Sequence, residues 1–289
     1  MYMKSKPDKY GLKIVTLNDA ATSYLINGIP YLGKTRIIAR EESICEYFFR
    51  SVTTPIHGSG RTAICDNWFT TISLVQRMLQ PEFDMTVTGT LRKNKREIPK
   101  QMIVAAKDPP KSTFCFTKNM TLVSYSPKKN KFVLLLSSYM CTSEITDGKP
   151  NIVLHYNETK GGTDCFDQLC HAYSVARRTL RWPMRIFFGM LDQAVVNSRI
   201  LLNCQKLKEG QNLITAINCL QSLHMHLVTP HLQNRMSRET FHWLLIIIGP
   251  QLENKSNPNN LQTPDRLPVN LETQLLMALW TLATPDSYR

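Results

Sequence analysis

The sequence lacks the patterns that mark several large classes of protein. None of its eight cysteines forms a C-x-x-C pair, and no histidine pattern completes a zinc site, so no zinc is expected. The longest apolar stretch runs only from Trp243 to Gly249, far too short to span a bilayer. The first ten residues, MYMKSKPDKY, are polar and predict no signal peptide. We therefore expect no membrane association, and reduced, mostly buried thiols in an intracellular chain.

Acidic side chains are also scarce. The 22 Asp and Glu residues stand against 35 Lys and Arg, which gives a net charge of +13 over 289 residues. The excess is uneven, because residues 90–131 hold eleven Lys or Arg against only Glu97 and Asp108. A balance this basic favours a polyanionic partner. With 43% hydrophobic residues, the chain is long enough for one large domain, or two, with a real core.

The order of predicted elements indicates a mixed α/β core. Short β-like runs predict strands, and apolar residues at helical spacing predict helices. The predicted strands are residues 10–17, 23–32 (or a hairpin), 61–66, 85–91, 114–116, 121–125, 132–137 and 151–156. The predicted helices are residues 41–52, 70–80, one that starts near Asp164, 183–205, and two more between 210 and 249. Strands that alternate with helices in this way are typical of α/β folds.

Composition and predicted secondary structure divide the chain into five segments. Residues 1–92 form the first part of the core, and residues 151–205 form its second part with an acidic helix. Between them, residues 93–150 are rich in Lys and Pro and are predicted to be a small β-rich insertion. Residues 206–250 are a C-terminal helical segment. Residues 251–289 are a linker and tail, because the segment begins rich in Asn, Pro and Gln.

Four aspartates stand at the ends of predicted elements. Asp19 closes the first strand, Asp66 ends an apolar run in the string CDNWFT, and Asp164 and Asp167 open a helix in KGGTDCFDQLC. Carboxylates from separate elements can gather hard divalent cations, and two ions about 3.5–4 Å apart can clamp both oxygens of a phosphoryl transfer. The alternative is that each aspartate only caps a helix, favours a helix dipole or closes a turn.

Two basic clusters are candidate phosphate contacts. The first contains Arg92, Lys93, Lys95 and Arg96, and the second contains Arg177, Arg178, Arg181 and Arg185. Such clusters neutralise phosphates and position a duplex without reading its bases. The alternative is a solvated charge run. We favour phosphate contact because both clusters lie near the acidic residues in sequence.

Five strings resemble those of piggyBac transposases and of the host proteins derived from them. They are KYGLKI, SYLINGIPYLG, CDNWFT, TGTLRKNKREIPK and YNETKGGTDCFDQLC, and they occur in the family's order up to about Trp182. The resemblance implies an RNase H-like catalytic core. It implies three metal-binding aspartates: Asp19 on the first strand, Asp66 just after the fourth, and Asp164 on a late helix. It makes Asp167 a fourth acidic residue near the site.

The resemblance also implies an activity and its partners. It implies DNA cleavage and strand transfer, cut-and-paste transposition at TTAA sites, a pair of Mg²⁺ or Mn²⁺ ions, double-stranded DNA as partner, and a nuclear location. The family's N-terminal region and cysteine-rich zinc domain are expected to be missing. We therefore expect no autonomous transposition, and a homodimer or pairing with a full-length transposase. The alternative is a domesticated, non-catalytic protein that binds DNA or a transposase.

Overall fold

The five-stranded main sheet belongs to the first of two structural units. A computed structural model describes residues 11–31, 42–104, 106–235, 240 and 242–247, with the backbone alone for 231–235. The two units are Met1–Ile200 and Leu201–Arg289. The predicted linker and tail, residues 251–289, lie outside the described residues.

Strands and helices mix up to residue 150 and helices follow, which confirms the predicted α/β class. The strands are β1 Ile14–Asn18, β2 Leu25–Pro30, β3 Thr62–Cys65, β4 Thr86–Thr90, β5 Lys111–Phe116, β6 Thr121–Lys128, β7 Lys131–Ser137, β8 Ile145–Thr146 and β9 Lys149–Pro150. The helices are α1 Ile44–Thr53, α2 Ile72–Met78, α3 Asn151–Thr159, α4 Gly162–Ala172, α5 Trp182–Lys208 and α6 Ala216–Arg235. Short 3₁₀ helices span Thr54–Ile56 and Lys100–Ile103, and residues 242–247 are helical.

The main sheet has the strand order β3-β4-β7-β6-β5. Strands β3 and β4 pair in parallel, and β7 joins β4 antiparallel. Strands β5 to β7 come from the segment 93–150, so the predicted insertion supplies most of the main sheet. Leu134, Leu135 and Leu136 are all buried, because β7 lies inside the sheet and is covered on both faces.

The hairpin of β1 and β2 packs against α1. Val15 of β1 is buried against Phe48 and Val52 of α1. The side-chain amide of Asn27 donates to the carbonyl oxygen of Val52 at 2.9 Å, which fixes the hairpin to the end of the helix. Because Asp19 follows β1, this packing positions the first of the predicted site residues.

Glu46 joins α1 to the start of α2. Its Oε1 accepts hydrogen bonds from the hydroxyls of Thr71, at 2.6 Å, and Ser73, at 2.5 Å. Burial raises the pKa of Glu46, but these bonds and the capping bonds with Ser43 outweigh burial, so its pKa is lowered. Thr71 is the N-cap of α2, and so the link holds the loop between β3 and α2, where Asp66 lies.

Two sequence expectations are wrong. Residues 151–156 are predicted as a strand but begin the helix α3. Ile152 and Val153 are buried there against Val123 and Leu135 of the sheet, and this tertiary packing overrides the β preference of the branched residues. The thiols are not mostly buried: all eight are free, only Cys65 is buried, and Cys141, Cys165 and Cys204 are exposed.

Helices α4 and α5 complete the first unit. Phe166 of α4 is buried with Val196 and Ile200 of α5, and Leu25 packs against them. The side-chain amide of Asn197 bonds both backbone groups of Leu25 at 2.9 Å, as a neighbouring strand would. None of the described helices combines the length and hydrophobicity needed to cross a membrane.

Apolar side chains stay exposed on the helical part of the chain that follows α4. They include Trp182, Phe187 and Met190 near the start of α5. In the second unit, Trp243 and Ile246 are also exposed. Within that unit, Asn203 bonds both backbone groups of Ile214 at 2.8 and 3.1 Å and so holds the connection between α5 and α6.

Candidate active site

Asp19 is the first residue after β1, and its side chain closes the turn that leads to β2. Its Oδ2 accepts hydrogen bonds from the backbone N–H of Thr22 at 2.7 Å and from the Thr22 hydroxyl at 2.6 Å. The Thr22 hydroxyl is the main reason that the pKa of Asp19 lies below its ordinary value. The carboxylate is therefore held in its charged form, in a defined orientation, at the end of a strand.

Asp66 stands in the same relation to β3. It follows the third described strand, with residues 32–41 outside the described part. Its Oδ1 accepts from the backbone N–H of Trp68 at 3.0 Å, and its carbonyl oxygen accepts from the hydroxyl of Thr70 at 2.8 Å. Trp68 meets Phe69 edge-on at 4.6 Å, and the Lys13 ammonium lies over the Trp68 ring at 3.8 Å. The packed aromatic pair anchors the loop, while the Asp66 side chain stays exposed.

Asp164 lies in the first turn of α4, and Asp167 lies one turn further along the same helix. Both side chains are exposed. A carboxylate in the first turn is favoured by the helix dipole, as the alternative interpretation also expects. The start of α4 lies against the Asp19 turn, where the Thr163 hydroxyl donates to the side-chain oxygen of Asn18 at 3.1 Å.

A cavity of about 420 Å³ opens between β1 and β3, and Asp66 and Asp164 both line it. Tyr156 and Lys160 of α3 line the same cavity, and sequence reasoning missed them both. Burial raises the pKa of Tyr156, although a side-chain hydrogen bond with Thr90 opposes the shift. Their spacing of four residues, which places both on one face of a helix, was hidden by the strand prediction for this segment.

The structure thus brings Asp66 and Asp164 to one cavity and sets Asp19 beside it. Asp167 does not line the cavity. Carboxylate oxygens are the ligands that Mg²⁺ and Mn²⁺ prefer, so the donor chemistry fits a divalent ion. Within the described residues, however, no three His, Cys, Asp or Glu side chains approach closely enough to hold one ion together. The three-aspartate metal set stays a prediction.

The first basic cluster lies next to the Asp66 loop. Arg92 donates from Nε to the side-chain oxygen of Asn67 at 3.2 Å, and Asn67 directly follows Asp66. Lys93 and Arg96 are exposed, and Lys95 is partly exposed. Arg92 is exposed too, so the cationic groups of this cluster face solvent next to the loop that carries Asp66.

The second basic cluster covers the connection between α4 and α5 and the first turn of α5, where Arg185 lies. Arg177, Arg178, Arg181 and Arg185 are all exposed. The connection is held by Asp192, a buried residue of α5 that sequence reasoning missed. Its carboxylate accepts from the Ser174 hydroxyl at 2.6 Å and from the Val175 N–H at 2.8 Å. An acidic residue within the mostly apolar stretch of α5 was the available signal.

Comparisons with known proteins agree with this architecture. The profile of the family described as "Transposase IS4" matches residues 1–199. The chain is also similar to a solved structure titled "Cryo-EM structure of piggyBac transposase synaptic complex with hairpin DNA", with a TM-score of 0.79 and 38% sequence identity. The match covers 91% of this chain and 55% of that one, so this chain spans about half the length of that relative. The similarity is consistent with an RNase H-like core.

Proposed function

This chain belongs to the piggyBac-type transposase family, and on that premise we propose that it cleaves double-stranded DNA and transfers the resulting ends. The observation that carries the proposal is the shared cavity. Asp66 and Asp164 are distant in sequence, yet both line the space between β1 and β3. The proposal includes cut-and-paste transposition in the nucleus, and a second copy or a longer transposase as partner.

Asp19, Asp66 and Asp164 are the proposed ligands of a pair of Mg²⁺ or Mn²⁺ ions, a type of cofactor that transposases of this family typically use. Such a pair supplies Lewis-acid stabilisation of the attacking and leaving oxygens in an in-line displacement at a phosphodiester. The chain's own contribution is to hold charged carboxylates at the ends of rigid elements. Thr22 does this for Asp19, and the Trp68 backbone does it for Asp66. Asp167 is proposed to support the site from the next turn of α4.

The two basic clusters are the proposed contacts to the DNA backbone. Arg92 is tied to the Asp66 loop, so a phosphate bound there lies near the candidate ligands. Arg177, Arg178 and Arg181 are exposed on a connection that Asp192 anchors. Arg185 is exposed in the first turn of α5. Contacts of this kind position a duplex, and they supply affinity that falls as salt rises.

A thermal unfolding experiment with Mn²⁺ tests the site. A ligand that binds only the folded chain stabilises it by about 2.7 kcal/mol when its concentration is about 100 times its Kd. We expect Mn²⁺ to raise the Tm of the wild type and not that of Asp66→Asn. Asp147→Asn is the matched control, because Asp147 is exposed at a φ of 52°, which asparagine also adopts readily. No Mn²⁺ response in a cooperatively unfolding wild type would reject the catalytic proposal.

Cleavage of a labelled duplex that contains TTAA tests the reaction itself. Wild type and Asp147→Asn should nick the duplex in Mn²⁺, and Asp66→Asn and Asp164→Asn should not. Loss of activity in these two variants should leave DNA affinity intact, because neither aspartate belongs to the basic clusters.

A non-catalytic DNA-binding protein is the second candidate function. The observation that favours it is that Asp19 and Asp66 both hydrogen-bond within their own turns, which is sufficient reason for either residue to be present. This candidate predicts salt-dependent DNA binding that is unchanged in Asp66→Asn, with no Mn²⁺ response and no cleavage by any form of the protein.

A further inference from the structure

The start of α4 lies against the Asp19 turn with no space between the two backbones. A Cβ at Gly162 would stand 3.0 Å from the carbonyl oxygen of Asp19 and 3.2 Å from the Cα of Ala20. Both of these neighbours are backbone atoms, which do not swing aside as a flexible side chain does. Any larger residue at position 162 must therefore move α4 away from the turn or distort the turn itself.

Asn18 connects the same two elements through its side chain. Its Nδ2 donates to the carbonyl oxygen of Ser23 at 3.3 Å and so spans the turn that contains Asp19. Its Oδ1 accepts the hydroxyl of Thr163 at 3.1 Å, from a residue 145 positions further along the chain. One amide thus bonds the turn and the helix at once.

The hydrogen bond between Thr163 and Asn18 joins two residues that each lie next to a candidate ligand. Asn18 precedes Asp19, and Thr163 precedes Asp164. The two aspartates belong to elements whose relative position depends on this junction. Phe166 adds to it, because it packs α4 against Tyr24 and Leu25, which follow the turn. A shift of the helix at Gly162 or Thr163 would move the Asp164 carboxylate relative to Asp19 without removing either ligand.

We propose that Asn18, Gly162 and Thr163 are positioning residues that set the place of Asp164 relative to Asp19. The inference rests on the proposed function, since it assigns these residues to the metal site. Groups that hydrogen-bond a metal ligand directly change metal affinity by about 10–100-fold when they are removed. Asn18 and Thr163 act through the backbone next to the ligands, so we expect an effect at the lower end of that range.

Metal titration of substituted full-length chains tests the inference. Thr163→Val removes the hydroxyl at nearly constant shape and lies on the exposed surface, so the chain should still fold. Gly162→Ala adds the obstructed methyl group. Thr163→Ser keeps the hydroxyl and serves as the rescue. The controls are Thr113→Val on the exposed side of β5, and Gly189→Ala, whose added Cβ would meet nothing within 4 Å.

The readouts are two metal-binding midpoints. The first is the Mn²⁺ concentration at half-saturation, fitted from the rise of Tm with Mn²⁺ concentration, and the second is the Tb³⁺ concentration that gives half of the maximal luminescence excited through Trp68 beside Asp66. For Thr163→Val and Gly162→Ala we expect both midpoints to rise by about tenfold or more. Thr163→Ser and the two controls should match the wild type. A residue with only a structural role would lower the Tm without metal and leave both midpoints unchanged.

The outcomes separate the inference from the function on which it rests. A wild type that binds neither ion rejects the proposed function, and the positioning role with it. A wild type that binds, together with a Thr163→Val variant that binds equally well, rejects the positioning role alone. Shifted midpoints that Thr163→Ser restores support both.

Discussion

Arg92 and Asn67 are joined by a hydrogen bond of 3.2 Å from the guanidinium Nε to the side-chain oxygen. Arg92 follows Leu91 just beyond the end of β4, and Asn67 directly follows Asp66. A basic segment and an acidic loop that are separate in sequence are therefore one structural feature. Because the Arg92 side chain is directed by this bond, the remaining donors of its guanidinium have a defined orientation beside the loop.

Arg92→Ala should weaken DNA binding and make it less dependent on salt. Loss of one phosphate contact should lower the slope of log affinity against log salt by about 1. Fluorescence anisotropy with a labelled duplex at several salt concentrations measures both effects. Lys129→Ala, in the loop between β6 and β7, removes the same charge and should leave the slope unchanged. Equal slopes for wild type and Arg92→Ala would contradict a phosphate contact.

Gly89→Ala should destabilise the first unit strongly. Gly89 lies on β4, and an added Cβ would stand 2.7 Å from the carbonyl oxygen of Cys65, in direct conflict with the last residue of β3, which Asp66 follows. Overpacking of this kind costs about 1–3 kcal/mol or more in the free energy of unfolding. Gly189→Ala, in the open on α5, should instead stabilise the chain by about 0.5–1 kcal/mol. Urea denaturation of both variants measures the contrast, and similar effects would contradict it.

The buried thiol of Cys65 should make the free energy of unfolding fall at alkaline pH. Burial raises the pKa of its thiol from 9.0 to about 12, so the folded chain keeps a proton that the unfolded chain releases. The stabilising contribution is complete below pH 9.0 and is lost as the pH rises towards about 12. Each pKa unit corresponds to about 1 kcal/mol, so between about pH 9 and pH 11 the wild type should lose more stability than Cys65→Ala.

Urea denaturation at about pH 8, 9, 10 and 11 measures this difference, because the slope of stability against pH reports the difference in bound protons between the folded and unfolded chain. The variant Cys141→Ala changes an exposed cysteine and should follow the wild type. A Cys65→Ala variant with the same pH dependence as the wild type would show that the buried thiol does not contribute.

Asp192→Ala should loosen the connection between α4 and α5. The substitution leaves the Val175 N–H and the Ser174 hydroxyl without their acceptor, and loss of hydrogen bonds to a charged group costs about 1.5–3 kcal/mol each. DNA affinity should fall with stability, because the arginines of the second cluster lose their anchor. Asp192→Asn keeps one acceptor oxygen and should show a smaller loss in both. If Asp192→Ala has the DNA affinity of the wild type in the anisotropy assay, the connection between α4 and α5 does not contribute to DNA binding.

Local patterns predicted most elements of the fold. The short β-like runs at residues 114–116, 121–125 and 132–137 identify β5, β6 and β7, and helical spacing before Pro81 identifies α2. The strand prediction for residues 151–156 was wrong because the periodicity of a short apolar run does not distinguish a strand from a helix. Packing on β6 and β7 favours the helix here. The sequence of a single strand also does not tell which other strand it pairs with. The pairing of the predicted insertion with β4 in the main sheet therefore came from the tertiary structure.

The site divides in the same way. The sequence by itself determined where carboxylates and cations follow strands or open a helix, because turn and cap preferences act between near neighbours. Tertiary structure alone decided that Asp66 shares a cavity with Asp164, that Arg92 bonds Asn67, and that Gly162 must be small beside Asp19. Each of these relationships joins residues far apart in the chain. Only the packing of whole helices and strands brings such residues within hydrogen-bonding or van der Waals distance.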